Sequence, residues 1–472
     1  MAHKVKVIEQ CEVSPPPGSV PPTSIPLTFF DLPWLCCPPL KRIFFYHFPH
    51  STQHFFQTLL PSLKNSLSLT LQHFFPFSSN LLFPPKPNTP HILYTPHADS
   101  ISFTLAESSV AYFTTFVSNS PRDVTLLHPF VPVLPPSRTL EDGTLVIPLM
   151  AIQVTVMPYS AFAICITFRH VAADGRAFHH FMKFWASLCK SSIRDSGLLD
   201  SFEGFLAMPL HNRDIIQDPK GLKPIFLQEL WNSLPENVES KGIKRDVPRD
   251  MVRHTFVLSH VHVEKLKKWV SINCKSHGLE TPHMTTFVVT CALVWVCKVK
   301  SEEINVNDDE SYILAFMADC RNRPEFSIPL EYFGNCLVCG NVVAKRSKLV
   351  GGLGNGILDA TIAIGSEVRY LQRETLEGAE TLMSNFREFA TLGKHMTIIA
   401  GSPKLEVYET DFGWGKPERS EVVHVDNSGS ISLSDCREKE GQIEVGVALP
   451  KVQMNKFSAI LKDHLTEIAL FD

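Results

Sequence analysis

Nowhere in the 472 residues do about 18 apolar positions run uninterrupted, so the sequence offers no membrane-spanning helix. The opening segment, Met1 to Gln10, lacks the apolar h-region of a secretory signal. A soluble protein of the cytoplasm (cytosol) is expected. Excess charge of one sign is also missing: 44 Lys and Arg against 48 Asp and Glu leave a formal net charge of -4. That excludes a globally basic nucleic-acid binder, and any anionic ligand must meet a local basic patch. The twelve cysteines are scattered. Cys36-Cys37 and Cys336 with Cys339 lack the second Cys or His pair that a zinc site needs, so they read as reduced thiols and no metal is expected. No fixed-period repeat is visible.

What is present is the composition of a globular enzyme, 44% hydrophobic and 19% charged, in a chain long enough for two large domains. The segment Leu27 to Trp34 reads as a short strand and an irregular loop. Phe55, Leu59, Leu63, Leu67 and Leu71 recur every fourth position and predict a helix, with Pro61 bending it. Residues 150 to 168 predict a hairpin turning near Pro158-Tyr159-Ser160. After it, Phe178, Phe181, Met182, Trp185 and Leu188 take helical spacing. Residues 196–225, rich in Gly, Pro and polar positions, are the expected crossover between a domain over 1–195 and a domain over 226–472. In the second half, Thr286 to Trp295 predicts a buried helix. Ser311 to Asp319, Cys336 to Val343, Glu421 to Asp426, Gly429 to Leu433 and Gln442 to Leu449 predict strands, and Phe457, Ile460, Leu461 and Leu465 a closing helix. The fold class is α/β, with helices and strands mixed in both halves.

Two segments carry chemistry. His170-Val171-Ala172-Ala173-Asp174-Gly175 has the form H-x-x-x-D-G at the carboxyl end of a strand, in the turn before a helix. On a continuous helix that spacing would suggest a metal site. At a strand-to-helix junction, Asp174 is better suited to fix the turn or cap the helix. Asp411-Phe412-Gly413-Trp414-Gly415-Lys416-Pro417 implies a tight glycine turn that packs one large ring. Its D-F-G is not that of a protein kinase, because no H-R-D loop precedes it and too little chain follows. Gly351-Gly352-Leu353-Gly354-Asn355-Gly356 is not a G-x-G-x-x-G and is expected to be a flexible loop.

Together these two motifs are the paired signature of the plant BAHD acyltransferase family, which the sequence resembles over essentially its whole length. Tyr332-Phe333-Gly334-Asn335-Cys336, the opening Leu27 to Trp34, and Ala400 to Leu405 (A-G-S-P-K-L) are similar to the branch acting on anthocyanins and other flavonoid or phenolic glycosides. The resemblance implies two similar chloramphenicol-acetyltransferase-like domains of mixed sheet and helices, with a solvent channel at their interface. A segment near 370–400 would pack back on the N-terminal domain. It implies an acyl-CoA co-substrate with no permanently bound cofactor, a phenolic glycoside acceptor, and a monomer. His170 would be the general base and Asp174 a structural support paired with Arg321, while Trp414 would serve packing. Ser259, Lys267, Lys268, Ser402 and Lys404 would bind CoA, and Ser402 or a backbone amide would stabilise the oxyanion.

A malonyl donor needs a cation for its carboxylate. Arg176 is assigned that part, with Arg169 the other nearby arginine, so malonyl-CoA is favoured. A p-coumaroyl or caffeoyl donor needs only apolar walls, which 33 phenylalanines can supply. A non-catalytic ligand-binding relative is the remaining alternative.

Overall fold

A computed structural model describes residues 5–108, 113–194, 207–233, 250–302, 309–321, 323, 325–392, 395–427, 429–438 and 441–470. Three sheets organise them. The first, of six strands, runs Val5–Val13, Ile101–Ser108, Met150–Met157, Ser160–Phe168, Leu40–Phe48 and Arg419–Val422 in spatial order. The second, of seven, runs Leu337–Lys345, Ser311–Asp319, Met396–Ala400, Ile431–Asp435, Ile443–Pro450, Met251–Leu258 and Arg122–Asp123. A five-stranded sheet flanks them. The architecture is thus two-domain α/β with mixed sheets.

The predicted hairpin is the centre of the first sheet. Met150–Met157 and Ser160–Phe168 pair antiparallel around Pro158 and Tyr159, and Met150–Met157 is buried along its whole length. A strand covered on both faces reads as a continuous apolar run, which is why alternation is absent there. The helix Thr52–His73 continues through Pro61 and buries the stripe Phe55, Leu59, Leu63, Leu67 and Leu71. It lies against the helix Gly175–Arg194, where Trp185 Nε1 donates to the Leu63 carbonyl at 3.1 Å. Each such fully buried large side chain contributes roughly 1.5–3 kcal/mol.

Three expectations are corrected. Leu27 to Trp34 holds no strand: the strand is Thr23–Pro26, and a 3-10 turn Leu32–Cys36 follows, started by Pro33. Glu421 to Asp426 is strand only to Val422, then a 3-10 turn Val423–Asn427. Gly351 to Gly356 is a compact helical junction between Arg346–Gly351 and Ile357–Arg373. There Gly356 has φ 85°, and a Cβ on it would overlap the Leu349 carbonyl. Of the 196–225 crossover, 196–206 lie outside the described residues, and a helix Leu222–Ser233 begins before its end.

The two large sheets exchange strands. Arg419–Val422, from late in the chain, pairs with Leu40–Phe48, while Arg122–Asp123, from the first half, pairs with Met251–Leu258. Both short strands carry charge into the interior, where Glu421 meets Arg122 and, at 2.7 Å, Arg253, and Arg419 meets Glu444 at 3.1 Å. Burial alone would raise the Glu421 pKa, but Arg122, Arg253 and Arg419 pull it down to about 2. A depressed carboxylate stabilises the fold above its unfolded value, about 4.3. That stability is lost as pH falls through the folded value. We expect the free energy of guanidinium unfolding to drop steeply between pH 4.5 and 2.5, by on the order of 3 kcal/mol from this group. Glu421→Gln, weaker at pH 7, should show a shallower fall.

Candidate active site

The strand Ser160–Phe168 delivers its chain end to the second sheet. Arg169 N donates to the Leu149 carbonyl at 2.8 Å, and a turn closes through Ala172 N to the Arg169 carbonyl at 3.1 Å and Ala173 N to the His170 carbonyl at 3.2 Å. Asp174 then opens the helix, its Oδ1 accepting from Ala177 N at 3.0 Å. A carboxylate satisfies an orphan donor there and complements the helix dipole. Its Oδ2 accepts from Arg321 Nη1 at 2.7 Å and from Cys336 N at 3.1 Å. Arg321 Nη2 also donates to the carbonyls of Tyr332 and Gly334, each at 3.0 Å. Asp174 and Arg321 are fully buried and face each other. Asp174 is thereby turned to Arg321, and His170 to different partners, so the pair does not converge as metal ligands would.

His170 is buried, with its ring stacked on Trp34 at 3.7 Å between centroids and 8° between planes. Its Nδ1 meets Asn335 Oδ1 at 2.9 Å. The Asn335 amide is oriented by its other end, since Nδ2 lies 3.0 Å from Asp31 Oδ1 and 2.9 Å from the His170 carbonyl, both acceptors. Oδ1 is therefore the acceptor toward the imidazole, so Nδ1 carries the hydrogen and Nε2 keeps its lone pair. Burial lowers the His170 pKa, partly opposed by Asp174, Asn335 and Asp31. The imidazole is neutral at pH 7, as a general base must be.

The Y-F-G-N-C segment is explained position by position. The Tyr332 ring lies under the Arg213 guanidinium, 4.9 Å from its centroid. The Phe333 carbonyl accepts from Arg213. Gly334 has no Cβ because one would overlap that guanidinium. Asn335 holds His170, and Cys336 N holds Asp174. The Cys336 thiol is pushed up, first by the Cys320 hydrogen bond and then by burial, which disfavours a nucleophilic thiolate.

The remaining candidates separate. Arg176 is bound to Asp319, Nε to Oδ2 at 2.7 Å, and is about one-third exposed. Ser259 caps the helix His260–Ser276 by accepting from His262 N at 3.1 Å. Lys267 pairs with Glu264 at 2.7 Å and Lys268 is exposed. Ser402 accepts from Lys404 N at 3.2 Å, which leaves its own hydroxyl hydrogen to donate, and Lys404 is exposed. Leu405, in the same turn, packs 3.3 Å from where a Cβ on Gly175 would lie. In the D-F-G-W-G turn, Asp411 Oδ1 accepts from Gly413 N at 2.8 Å and Gly415 N at 2.9 Å. Trp414 packs on Phe48, His50 and His54, away from His170.

Sequence reasoning missed Asp31, Trp34, Asn335, Arg213 and His424. The first three lay inside motifs read only as branch markers, and Arg213 lay in the presumed crossover. His424, on the turn Val423–Asn427, had no signal. Its Nδ1 accepts from Lys41 N at 3.2 Å, and burial pushes it down to about 3.

The Transferase family model matches residues 3–463. A coumaroyl-CoA:anthocyanidin 3-O-glucoside-6''-O-coumaroyltransferase of Arabidopsis thaliana is 39% identical, over 98% of this chain and 98% of its own. The chain belongs to the BAHD acyltransferase family. This BAHD protein is an acyl-CoA-dependent O-acyltransferase. A malonyl-coenzyme A:anthocyanin 3-O-glucoside-6''-O-malonyltransferase of Dahlia pinnata is 34% identical over 97% of both chains. Among solved structures, vinorine synthase shares the BAHD fold at a TM-score of 0.67 and 16% identity, covering 98% of both chains. TRI101 of F. sporotrichioides, complexed with coenzyme A and T-2, follows at 0.61 and 14%, covering 94% of this chain and 98% of its own. No helix among the described residues is long and apolar enough to cross a membrane.

Proposed function

We propose that this protein transfers a hydroxycinnamoyl group, such as p-coumaroyl, from CoA to a sugar hydroxyl of an anthocyanin or related phenolic glycoside. The observation that carries it is the neutral His170, its Nε2 lone pair free and its ring backed by Trp34. Nε2 takes the proton of the acceptor hydroxyl as that oxygen attacks the thioester carbonyl. The tetrahedral oxyanion, with the Ser402 hydroxyl or a backbone amide as donor, collapses and expels the CoA thiolate, which the imidazolium reprotonates.

Trp34 also lines a small apolar recess with Phe29, Phe30, Phe226, Met317, Ala379 and Leu382, and no charged side chain among the described residues lines it. An aromatic acyl group or aglycone matches such walls. This reading departs from the malonyl expectation because Arg176, on which that rested, already has Asp319 as its partner. Relatives named for each donor match the chain over nearly its full length, the coumaroyl one at 39% identity and the malonyl one at 34%.

The decisive measurement is turnover with p-coumaroyl-CoA, malonyl-CoA and acetyl-CoA on cyanidin 3-O-glucoside, read by mass spectrometry. Preference for malonyl-CoA would overturn the donor assignment. Ala379→Trp, which enlarges a side chain on the wall of that recess, should raise KM for p-coumaroyl-CoA about tenfold while leaving acetyl-CoA within about threefold. Arg176→Ala should change all three donors alike. A selective loss for malonyl-CoA of roughly 1.5–3 kcal/mol would instead return the carboxylate to Arg176.

A further inference from the structure

His170 ends a chain of polar groups that continues beyond Asn335. Asp31 Oδ1 accepts from Asn335 N at 3.2 Å and from Nδ2 at 3.0 Å, and Oδ2 accepts from Thr28 N at 2.9 Å and Thr28 Oγ1 at 2.8 Å. Every one of these partners donates, so Asp31 is held as a carboxylate with no exposed surface. Facing its Oδ2 at 4.0 Å is Arg213 Nε. Arg213 is 6% exposed, and its Nε and Nη2 have no hydrogen-bond partner among the described residues.

The chain brings Arg213 there for a local reason. Leu210 N donates to the Glu331 carbonyl and Phe333 N to the Leu210 carbonyl, both at 2.9 Å, so the crossover segment runs alongside the Y-F-G-N-C turn. A buried guanidinium is costly unless it has a charge to answer. Here that charge is Asp31.

We propose that Asp31 and Arg213 are positioning residues that set the basicity of His170 through Asn335. This rests on the reading of His170 as the base. The Asp31 carboxylate polarises the Asn335 amide, which strengthens its acceptor oxygen toward Nδ1–H and favours the imidazolium that forms as the acceptor hydroxyl gives up its proton. Arg213 opposes that effect and keeps the resting imidazole neutral. Among the described residues, Asp174, which Arg321 neutralises, and His424, which stays neutral over the working range, also act electrostatically on the ring.

The two residues therefore act with opposite signs, which a merely structural role would not produce. The test is the pH profile of kcat/KM for the full-length enzyme with its preferred acyl-CoA, alongside thermal unfolding. Arg213→Gln should move the acid limb upward by roughly half a pH unit or more. Its loss of rate should then be greater at pH 6 than at pH 8.5, and Arg213→Lys should restore the limb. Asp31→Asn should move the limb downward and lower kcat about tenfold on the plateau, the equivalent of one pKa unit of imidazolium stabilisation. Thr28→Val removes one hydroxyl donor from Asp31 at constant shape. It should shift the limb upward by a smaller amount, and it carries the test if Arg213→Gln does not fold. Equal losses at every pH, tracking lower thermal stability, would overturn the proposal. A fully active His170→Ala would instead overturn the reading beneath it.

Discussion

His170→Ala should lower kcat by about 10²–10⁴-fold or more, the range expected when a positioned general base is removed. Among the described residues, Nδ1 bonds to Asn335 and the ring face stacks on Trp34, so the substitution opens a small space without exposing an unpaired charge. Thermal stability and CoA affinity should stay close to those of the parent protein. The measurement is steady-state turnover with calorimetric CoA binding on the same sample. Turnover within tenfold of the parent would mean that another group takes the hydroxyl proton, and His424 would be the next to remove.

Asp174→Asn should lose stability and activity together. The substitution leaves Arg321 buried with its best acceptor gone, and breaking a buried pair in this way costs about 3–5 kcal/mol. Asp319 Oδ1, at 3.1 Å from Arg321 Nη1, compensates in part because that carboxylate is itself partly exposed. The Asp174 side chain also receives Ala177 N and Cys336 N, so it ties the helix start to the entry of the strand Leu337–Lys345. His170 is carried on that same turn, and its misplacement follows from the loosened tie. Thermal unfolding and turnover measured together decide the matter. An inactive Asp174→Asn protein of unchanged stability would give Asp174 a chemical part.

Periodicity made the helices Thr52–His73 and Gly175–Arg194 legible, because each buries a face of fixed period, whereas the helix Thr286–Ser301 and the central hairpin were legible as near-continuous apolar runs. The segment Leu27 to Trp34 misled because its aromatic residues have high strand propensity. Its real function is to bury Phe29 and Phe30 and to place Asp31 and Trp34 from an irregular turn, where tertiary contacts override propensity. Gly351 to Gly356 misled for the opposite reason: glycine density reads as looseness, yet a Cβ on Gly352 or Gly356 would overlap the Lys348 or Leu349 carbonyl, and one on Gly354 the Trp269 ring.

The sequence by itself determined the class of this protein: two motifs of fixed spacing at fixed places between strands and helices, a chain long enough for two domains, and a histidine at the end of a buried strand. Those features are local, and local chemistry dictates them. Only the tertiary structure decided what His170 is bonded to, because Asp31, Arg213, Asp174, Arg321 and Asn335 come from segments up to 304 residues apart. It alone showed that Arg176 is paired with Asp319 across 143 residues. It alone showed that each large sheet takes a strand from the other half of the chain. A single sequence carries no record of such pairings, since burial and partner choice are properties of packing between distant segments, and the tautomer of His170 follows from them.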